Sequence, residues 1–570
     1  MSVGRNRRGP GEQDSEPDLV LRGAQVYTVD AARSWAQAVA VRGSTVVAVG
    51  TDADVTALAG RRTEVIDLRG RMLLPGFTDA HVHASAGGLE RLRCDLSEAH
   101  GLADYLAIVR GYAERNPDAE WITGGGWAIG VFPGGVPSRQ DLDAAVPDRP
   151  VFLSNRDHHA AWVNSRALEI AGIGASTPDP PDGRIERDRD GAPAGTLQEG
   201  AMGLVERVVP RPDLAEQVAG IVAGQRYLHS LGITSWQEAI VGDYAVIPDC
   251  YDAYLEADRA GLLTASVVGA LWWQRGAGIA QLDGLAERRS RAERAGRFRA
   301  TSVKIMQDGV CENFTASMLM PYLDPHGHGD GGSGTSFFDA AELMAAVTAI
   351  DARGFQVHFH AIGDRAVREA LDAVAAARRA NGPGRGRHHI SHIQVVHPKD
   401  LPRFRGLSVL ANCQPLWACN EPQMTDLTLP YLGPVRAGWQ YPFGSLLRSG
   451  AQLCFGSDWP VSSPNPLWEL HTAVNRTVPP GYPYAEPAEG EVFLPDERIG
   501  LADAIAAFTI GSAYVNHAES VAGSIEPGKQ ADLVVLDRDL FAQPPGEIAL
   551  AQVDLTLAAG KLVYDRISGL

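Results

Sequence analysis

The sequence predicts an α/β protein: an eight-stranded (β/α)8 barrel of the TIM type, with a large insertion after its first strand and a small β-domain assembled from both chain ends. Three observations predict it. Short β-branched runs alternate with alanine-rich helical stretches through the middle of the 570-residue chain, the texture of a parallel sheet with crossover helices. Eight such runs can be read, the number that closes a parallel barrel. Both ends carry short β-branched runs parted by Gly and Asp turns, and neither end has enough of them for a stable sheet of its own.

The opening run is Leu73-Leu74-Pro75-Gly76-Phe77-Thr78-Asp79-Ala80-His81-Val82-His83. The others are Ile233 to Glu238, Ala265 to Gly269, Ser302 to Met306, Gln356 to His360, His388 to His392, Leu407 to Asn412 and Leu453 to Asp458. Most follow a helical stretch, such as Ala340 to Asp351 or Asp364 to Arg379. Residues 85–225 then form an insertion in the first strand-to-helix connection, on the face where barrels keep their active sites. At the N-terminal end, Leu19 to Leu21, Gln25 to Val29, Ala38 to Val41 and Val46 to Gly50 read as antiparallel strands. Asp532 to Leu536, Val553 to Leu557 and Leu562 to Tyr564 repeat that texture at the other end. The expected division is a disordered tail over 1–17, the first part of the β-domain over 18–74, the barrel over 75–499, and the last barrel helix with the rest of the β-domain over 500–570.

Composition narrows the function. With 45% hydrophobic and 21% charged residues the chain is an ordinary globular protein. Fifty-one basic against 69 acidic residues leave a net charge of −18, which opposes non-specific nucleic-acid binding and an anionic membrane surface. No apolar run reaches the roughly 18–20 residues that span a bilayer, and the polar N-terminus lacks the apolar segment of a signal peptide. The six cysteines are scattered without a Cys-x-x-Cys pair, so they read as reduced thiols, and a cytoplasmic location follows as the default.

The ionisable residues fall at a telling place. Buried parallel strands should be apolar on both faces. Yet His81 and His83 end the first, Lys304 lies near the end of the fourth, His360 ends the fifth, His392 ends the sixth and Asp458 ends the eighth. At i and i+2 of a strand, two imidazoles share one face and can serve one cation. Singly, each residue has a structural explanation: a core histidine, a lysine reaching outward, a turn-capping aspartate. Jointly, they converge on one barrel mouth. Lys304 is the awkward member, since an ammonium repels cations; carboxylated by CO₂ it becomes an anionic oxygen ligand.

These residues sit in specific motifs. Pro75 to His83, Val303-Lys304-Ile305-Met306-Gln307-Asp308-Gly309, His360-Ala361-Ile362-Gly363-Asp364-Arg365-Ala366, Gly456-Ser457-Asp458-Trp459-Pro460-Val461 and Gly523 to Leu533 together resemble the amidohydrolase superfamily, the urease-related metal-dependent hydrolases. Within it, the resemblance is to amidohydrolase family 3, the group that includes N-substituted formamide deformylases. The resemblance implies that the β-domain is a sandwich and that His81, His83, His360, His392 and Asp458 are metal ligands, with Lys304 as a bridging carbamate. It implies one or two divalent ions per chain, zinc first among them. The family usually carries Glu-His on the sixth strand, where this chain has Ser391-His392. His358 shares the strand parity of His360, and alignment with the His-Ala-Ile-Gly-Asp motif favours His360.

The chemistry expected of such a centre is attack of a metal-activated water on an amide carbonyl. Asp458 takes the water's proton and delivers it to the leaving nitrogen, and one metal or a neighbouring imidazole such as His159 is expected to stabilise the oxyanion. Substrate-binding residues expected from the insertion and the seventh-strand loop are Trp127, His159, Trp417 and Asn420. Phe132, His158, Trp162 and Asn164 lie in the same insertion, where core packing is the commoner explanation; Cys311, Glu312 and Asn313, just beyond Lys304, could line the pocket or pack the loop equally well. Hydrolysis of a cyclic imide, an N-acyl amino acid or an ester is the alternative on the same site. Deamination fits less well, because His360-Ala361-Ile362-Gly363 lacks the Glu of a His-x-x-Glu pair. A non-catalytic scaffold would be expected to have lost ligands, and none is missing. The expected partners are a small-molecule substrate and a second copy in a homodimer.

Overall fold

The computed structural model describes residues 16–568 apart from 100, 133–134, 157, 181–182, 245–247, 325–331, 385 and 484–490. Most of the expected disordered tail therefore lies outside the described residues. Eight parallel strands follow one another around the barrel: Phe77–Val82, Ile233–Val241, Ser266–Trp272, Phe298–Met306, Gln356–Ala361, His389–His392, Leu410–Cys413 and Leu453–Phe455. Just past the eighth strand, the Asp458 N–H donates to His81 O at 2.7 Å and the His83 N–H to Trp459 O at 2.8 Å. These two bonds tie the eighth connection to the first strand at the mouth.

The crossover helices owe their positions to ordinary signals. Asp213 and Glu216 form a reciprocal capping box that starts the helix Leu214–Ser230, so the inserted chain ends before Gln225. The short helix Ala84–Leu92 lies against it through glycines. A methyl on Gly88 would sit 1.9 Å from Gly220 O, and one on Gly224 would sit 2.4 Å from Ala84 O. Only backbone-to-backbone contact fits there.

The insertion has a six-stranded sheet of its own, ordered Gly183–Arg187, Pro193–Glu199, Ala160–Val163, Val151–Asn155, Ile122–Trp127 and Cys94–Asp95. Its core, which includes Trp127, Phe132 and Trp162, is separate from that of the barrel. The chain ends combine as their short strands required. Lys561–Asp565, Val553–Ala558 and Leu533–Leu536 continue through Met72–Pro75 and Gln25–Tyr27 to Trp35–Ala36 in one sheet. A four-stranded sheet of Thr45–Gly50, Ala38–Arg42, Leu19–Arg22 and Glu64–Asp67 faces it across a shared apolar core. All six cysteines are buried and free. Among the described residues no helix is long and apolar enough to cross a membrane.

Candidate metal centre

Four of the six residues expected at the mouth meet around one point. Asp458 Oδ1 lies 3.0 Å from His81 Nε2 and 3.0 Å from His83 Nε2, and Asp458 Oδ2 is 4.0 Å from His392 Nδ1. Donor atoms of His81, His392 and Asp458 all fall within 4.8 Å of one another. His360 flanks them, its ring 4.4 Å from that of His392, with Nε2 3.4 Å from Gly309 O. Lys304 is buried on the fourth strand, in register with Trp272 on one side and His358 on the other.

Backbone conformation explains how strand ends deliver these side chains. His81 and His83 share a face by simple alternation. Ser391 and His392 are adjacent and should diverge, yet Ser391 Oγ is 2.9 Å from His81 Nδ1 and the His392 ring is 4.7 Å from that of His81. The strand ends at His392 with φ of 76°, which turns its imidazole toward the mouth. Asp458 is likewise left-handed, at φ of 58°. Each such residue costs on the order of 1–3 kcal/mol, an expense typical of functional sites.

Electrostatics makes the cluster a set of lone-pair donors. Burial first, then the charge of Lys304, lowers His81 to about 3. Burial also holds His360 and His392 well below the ordinary histidine value, so these two imidazoles and that of His81 are neutral. Burial pushes Asp458 up, but the close polar contacts of His81 and His83 outweigh it and hold the carboxylate well below its usual value. Burial lowers Lys304 to about 7, against the pull of Asp458. His81 Nε2, His392 Nδ1 and Asp458 Oδ1 are buried without a hydrogen-bond partner. Converging nitrogen and oxygen donors that satisfy no neighbour are what a divalent cation requires.

His358, the alternative to His360, is engaged elsewhere. Its Nε2 is 2.8 Å from His81 Nδ1 and 2.9 Å from Ser391 Oγ, and its ring centroid is 4.1 Å from that of His389, the two planes tilted by 45°. It lies behind His81.

The other expected site residues divide. Trp417 lies nearly parallel to the His392 ring, with centroids 5.4 Å apart and an interplanar angle of 6°, and Asn420 is half-buried three residues on. His159 is held by a residue the sequence did not flag. Its Nδ1 is 2.9 Å from Glu199 Oε2, and Glu199 also accepts from Asn313 Nδ2 at 2.7 Å. Forty positions separate His159 from Glu199, and only the pairing of two strands within the insertion sheet joins them. Trp127 is a correction: fully buried, it packs on Phe132 and Trp162 and donates its indole N–H to Leu153 O at 2.9 Å. Its side chain serves the insertion core and offers no face to a substrate. Asn164 caps the helix Ser165–Ala171 and braces the Val151 N–H. Another residue missed is Asp308, buried beyond the fourth strand, which accepts backbone N–H groups from Ser317, Ile362 and Gly363. It pins the loop carrying Gly309 to the turn after His360.

The model of the amidohydrolase family matches residues 64–564. Protein LONG AFTER FAR-RED 3 of Arabidopsis thaliana is 31% identical over 559 residues, covering 96% of this chain and 91% of its own. N-substituted formamide deformylase of Arthrobacter pascens is 28% identical over 564 residues, covering 96% and 98%. Among solved structures, an uncharacterized metal-dependent hydrolase from Pyrococcus furiosus is similar with a TM-score of 0.71 at 27% identity, over 93% of this chain and 99% of that one.

Proposed function

The chain belongs to the amidohydrolase family of metal-dependent hydrolases, and from that premise we propose that it hydrolyses the C–N bond of an amide or N-substituted formamide. One observation carries the reading: a carboxylate oxygen 3.0 Å from two imidazole nitrogens, with both His81 Nε2 and Asp458 Oδ1 buried and unpartnered. His81, His83, His360, His392 and Asp458 would hold one or two divalent ions, zinc first among them. A divalent ion there supplies Lewis acidity and makes water a nucleophile near neutral pH. Asp458 accepts the proton of the attacking water as the C–O bond forms and then passes it to the leaving nitrogen as the C–N bond breaks. His159, oriented by Glu199, donates to the developing oxyanion.

Lys304, with its amine lowered to about 7 by burial, is nucleophilic enough to take up CO₂. An N–C bond would form as one proton leaves, and the resulting carbamate would offer two oxygens that share a single negative charge. The substrate side is apolar. Ala86, Ile240, Trp272 and Met306, with Tyr244 and Phe337 against them, make a small cluster apart from the barrel core. Three of these end the second to fourth strands, on the same rim as the ligands. Trp417, beyond the seventh strand, adds an aromatic face beside His392. That rim favours an amide bearing an aromatic or alkyl substituent.

The test is metal analysis followed by a panel of N-substituted formamides, cyclic imides, N-acyl amino acids and esters. The expected result is bound divalent metal, activity on the N-substituted formamides that a chelator abolishes, and restoration by added zinc. Protein that retains no divalent ion and stays inert after metal addition would overturn the proposal.

A further inference from the structure

Behind the centre, on the side away from the mouth, lies a second polar layer that the expected chemistry does not use. A barrel interior is ordinarily filled by branched apolar side chains. Here His358, His389, Ser391, Gln237 and Asn412 are all buried within it. His389 is fixed by Gln237 Oε1 at 2.9 Å and Asn412 Nδ2 at 3.1 Å, and its ring lies against that of His358 at a tilt of 45°. His358 in turn forms a closed triangle with His81 Nδ1 and Ser391 Oγ, with sides of 2.8, 2.9 and 2.9 Å.

The triangle bears on which nitrogen of His81 carries the proton. A neutral imidazole has one N–H and one lone pair, and a metal ligand must point its lone pair at the ion. If Nε2 of His81 faces the ion, Nδ1 must carry the proton, and that N–H needs an acceptor. His358 Nε2 is the nearest candidate. The opposite tautomer would aim an N–H from Nε2 at Asp458 Oδ1. These two atoms are 3.0 Å apart, yet neither finds a hydrogen-bond partner with good angular geometry. Two donors sharing an ion would leave them that way. Ser391 can rotate its hydroxyl to serve either state, so the choice falls to His358.

We propose that His358 is a positioning residue that holds His81 in the Nδ1–H tautomer and so aims its Nε2 lone pair at the metal. It rests on the reading of the centre as a metal site. The proton on His358 then lies on its Nδ1, a buried nitrogen with no partner, a cost that the metal–nitrogen bond at His81 Nε2 must exceed. His389 acts one step further back by fixing the plane of the His358 ring. Such outer partners typically change metal affinity by about 10–100-fold when removed.

The experiment compares zinc affinity, by competition with a chromophoric chelator, for the full chain and for His358→Leu, His358→Gln and Ser391→Ala. The amide oxygen of glutamine can stand near the place of Nε2 and accept from His81, whereas leucine keeps volume without an acceptor. The expected result is roughly 10–100-fold weaker zinc for His358→Leu, with His358→Gln within about threefold of the parent chain and Ser391→Ala between the two. Unchanged affinity in His358→Leu, or a loss in His358→Gln as large as in His358→Leu, would overturn the proposal. Should His358→Leu fail to fold, nitrogen-15 histidine NMR of the unaltered metal-free chain decides: an Nδ1–H His81 supports the proposal and an Nε2–H His81 refutes it. Absence of zinc binding by the unaltered chain would defeat the proposed function, and that spectrum would still judge the tautomer.

Discussion

The seam between the eighth strand and the first makes a quantitative demand on one residue. Gly456 follows Leu453–Phe455 directly and donates its N–H to Cys413 O at 3.0 Å. A methyl group there would lie 2.4 Å from His81 N and 2.7 Å from His81 Cβ, where ordinary contact begins at 3.4 Å. Gly456→Ala must therefore drive the two strands apart by about 1 Å, since neither clashing atom is the free end of a side chain. His81 cannot simply slide. Its N–H is held by Asp79 Oδ1 at 3.0 Å and its carbonyl by the Asp458 N–H at 2.7 Å. The displacement falls between two of the proposed metal ligands. A misplacement of about 1 Å costs on the order of 100-fold in rate, and overpacking costs about 1–3 kcal/mol in stability. The assay is kcat/KM on the best substrate of the panel, together with thermal unfolding and metal content. Gly284→Ala is the control, because a methyl there meets nothing within 4 Å and lies inside the helix Leu282–Ala292, where alanine is favoured. Gly456→Ala retaining parental kcat/KM and unfolding temperature would refute the close-packed seam.

Glu469 is buried on the helix Pro466–Asn475 with both carboxyl oxygens unpartnered. Burial, then Asp79 and Asp458, pushes it well above 4.5. A carboxyl raised in the folded state stabilises fully below its unfolded value and loses that contribution as pH climbs toward the folded one. Glu469→Gln carries no such proton, so its unfolding temperature should exceed that of the parent by a margin that widens from about pH 5 to about pH 8; a margin independent of pH would count against a protonated Glu469. Trp417 lies against the face of His392, a contact worth about 0.5–1.5 kcal/mol. Trp417→Ala should lower kcat/KM by about tenfold and Trp417→Phe by much less, and equal effects in the two variants would remove Trp417 from the site.

The barrel was legible because its signals are local. Each strand is a short β-branched run, each helix a run of good formers, and closure follows from their number. The convergence of ionisable residues was legible for a related reason: such residues are anomalous in strands buried on both faces, and a barrel brings all strand ends to one mouth. Trp127 was misread because an aromatic in a glycine-rich strand looks the same facing a pocket or facing a core. What decides is the position of Phe132 and Trp162, set by a sheet whose strands pair across tens of residues. Glu199 was invisible for that reason too. Parity described His81 and His83 correctly and failed at Ser391-His392, because it assumes extended backbone and His392 is left-handed. Rules of alternation hold inside strands and lapse at their ends, and the ends are where this fold does its chemistry.

The polar layer behind His81 follows from the same placement. Donors at the mouth must be neutral to accept a cation, and burial is what keeps His81, His360 and His392 neutral. Burial also strips water from the rear nitrogen of His81, so whatever satisfies that nitrogen must come from the protein. An aspartate or glutamate there would add another buried charge beside Asp79 and Asp458; a neutral histidine and a serine satisfy it without one. The barrel thus trades apolar filling for hydrogen-bonded filling at the layer where the ligands need backing. On the far side of the ligands the filling reverts to Ile240, Trp272 and Met306. The change of texture from polar behind the centre to apolar beside its mouth is what an enzyme needs when the ion must be held rigidly and the substrate must leave its water behind.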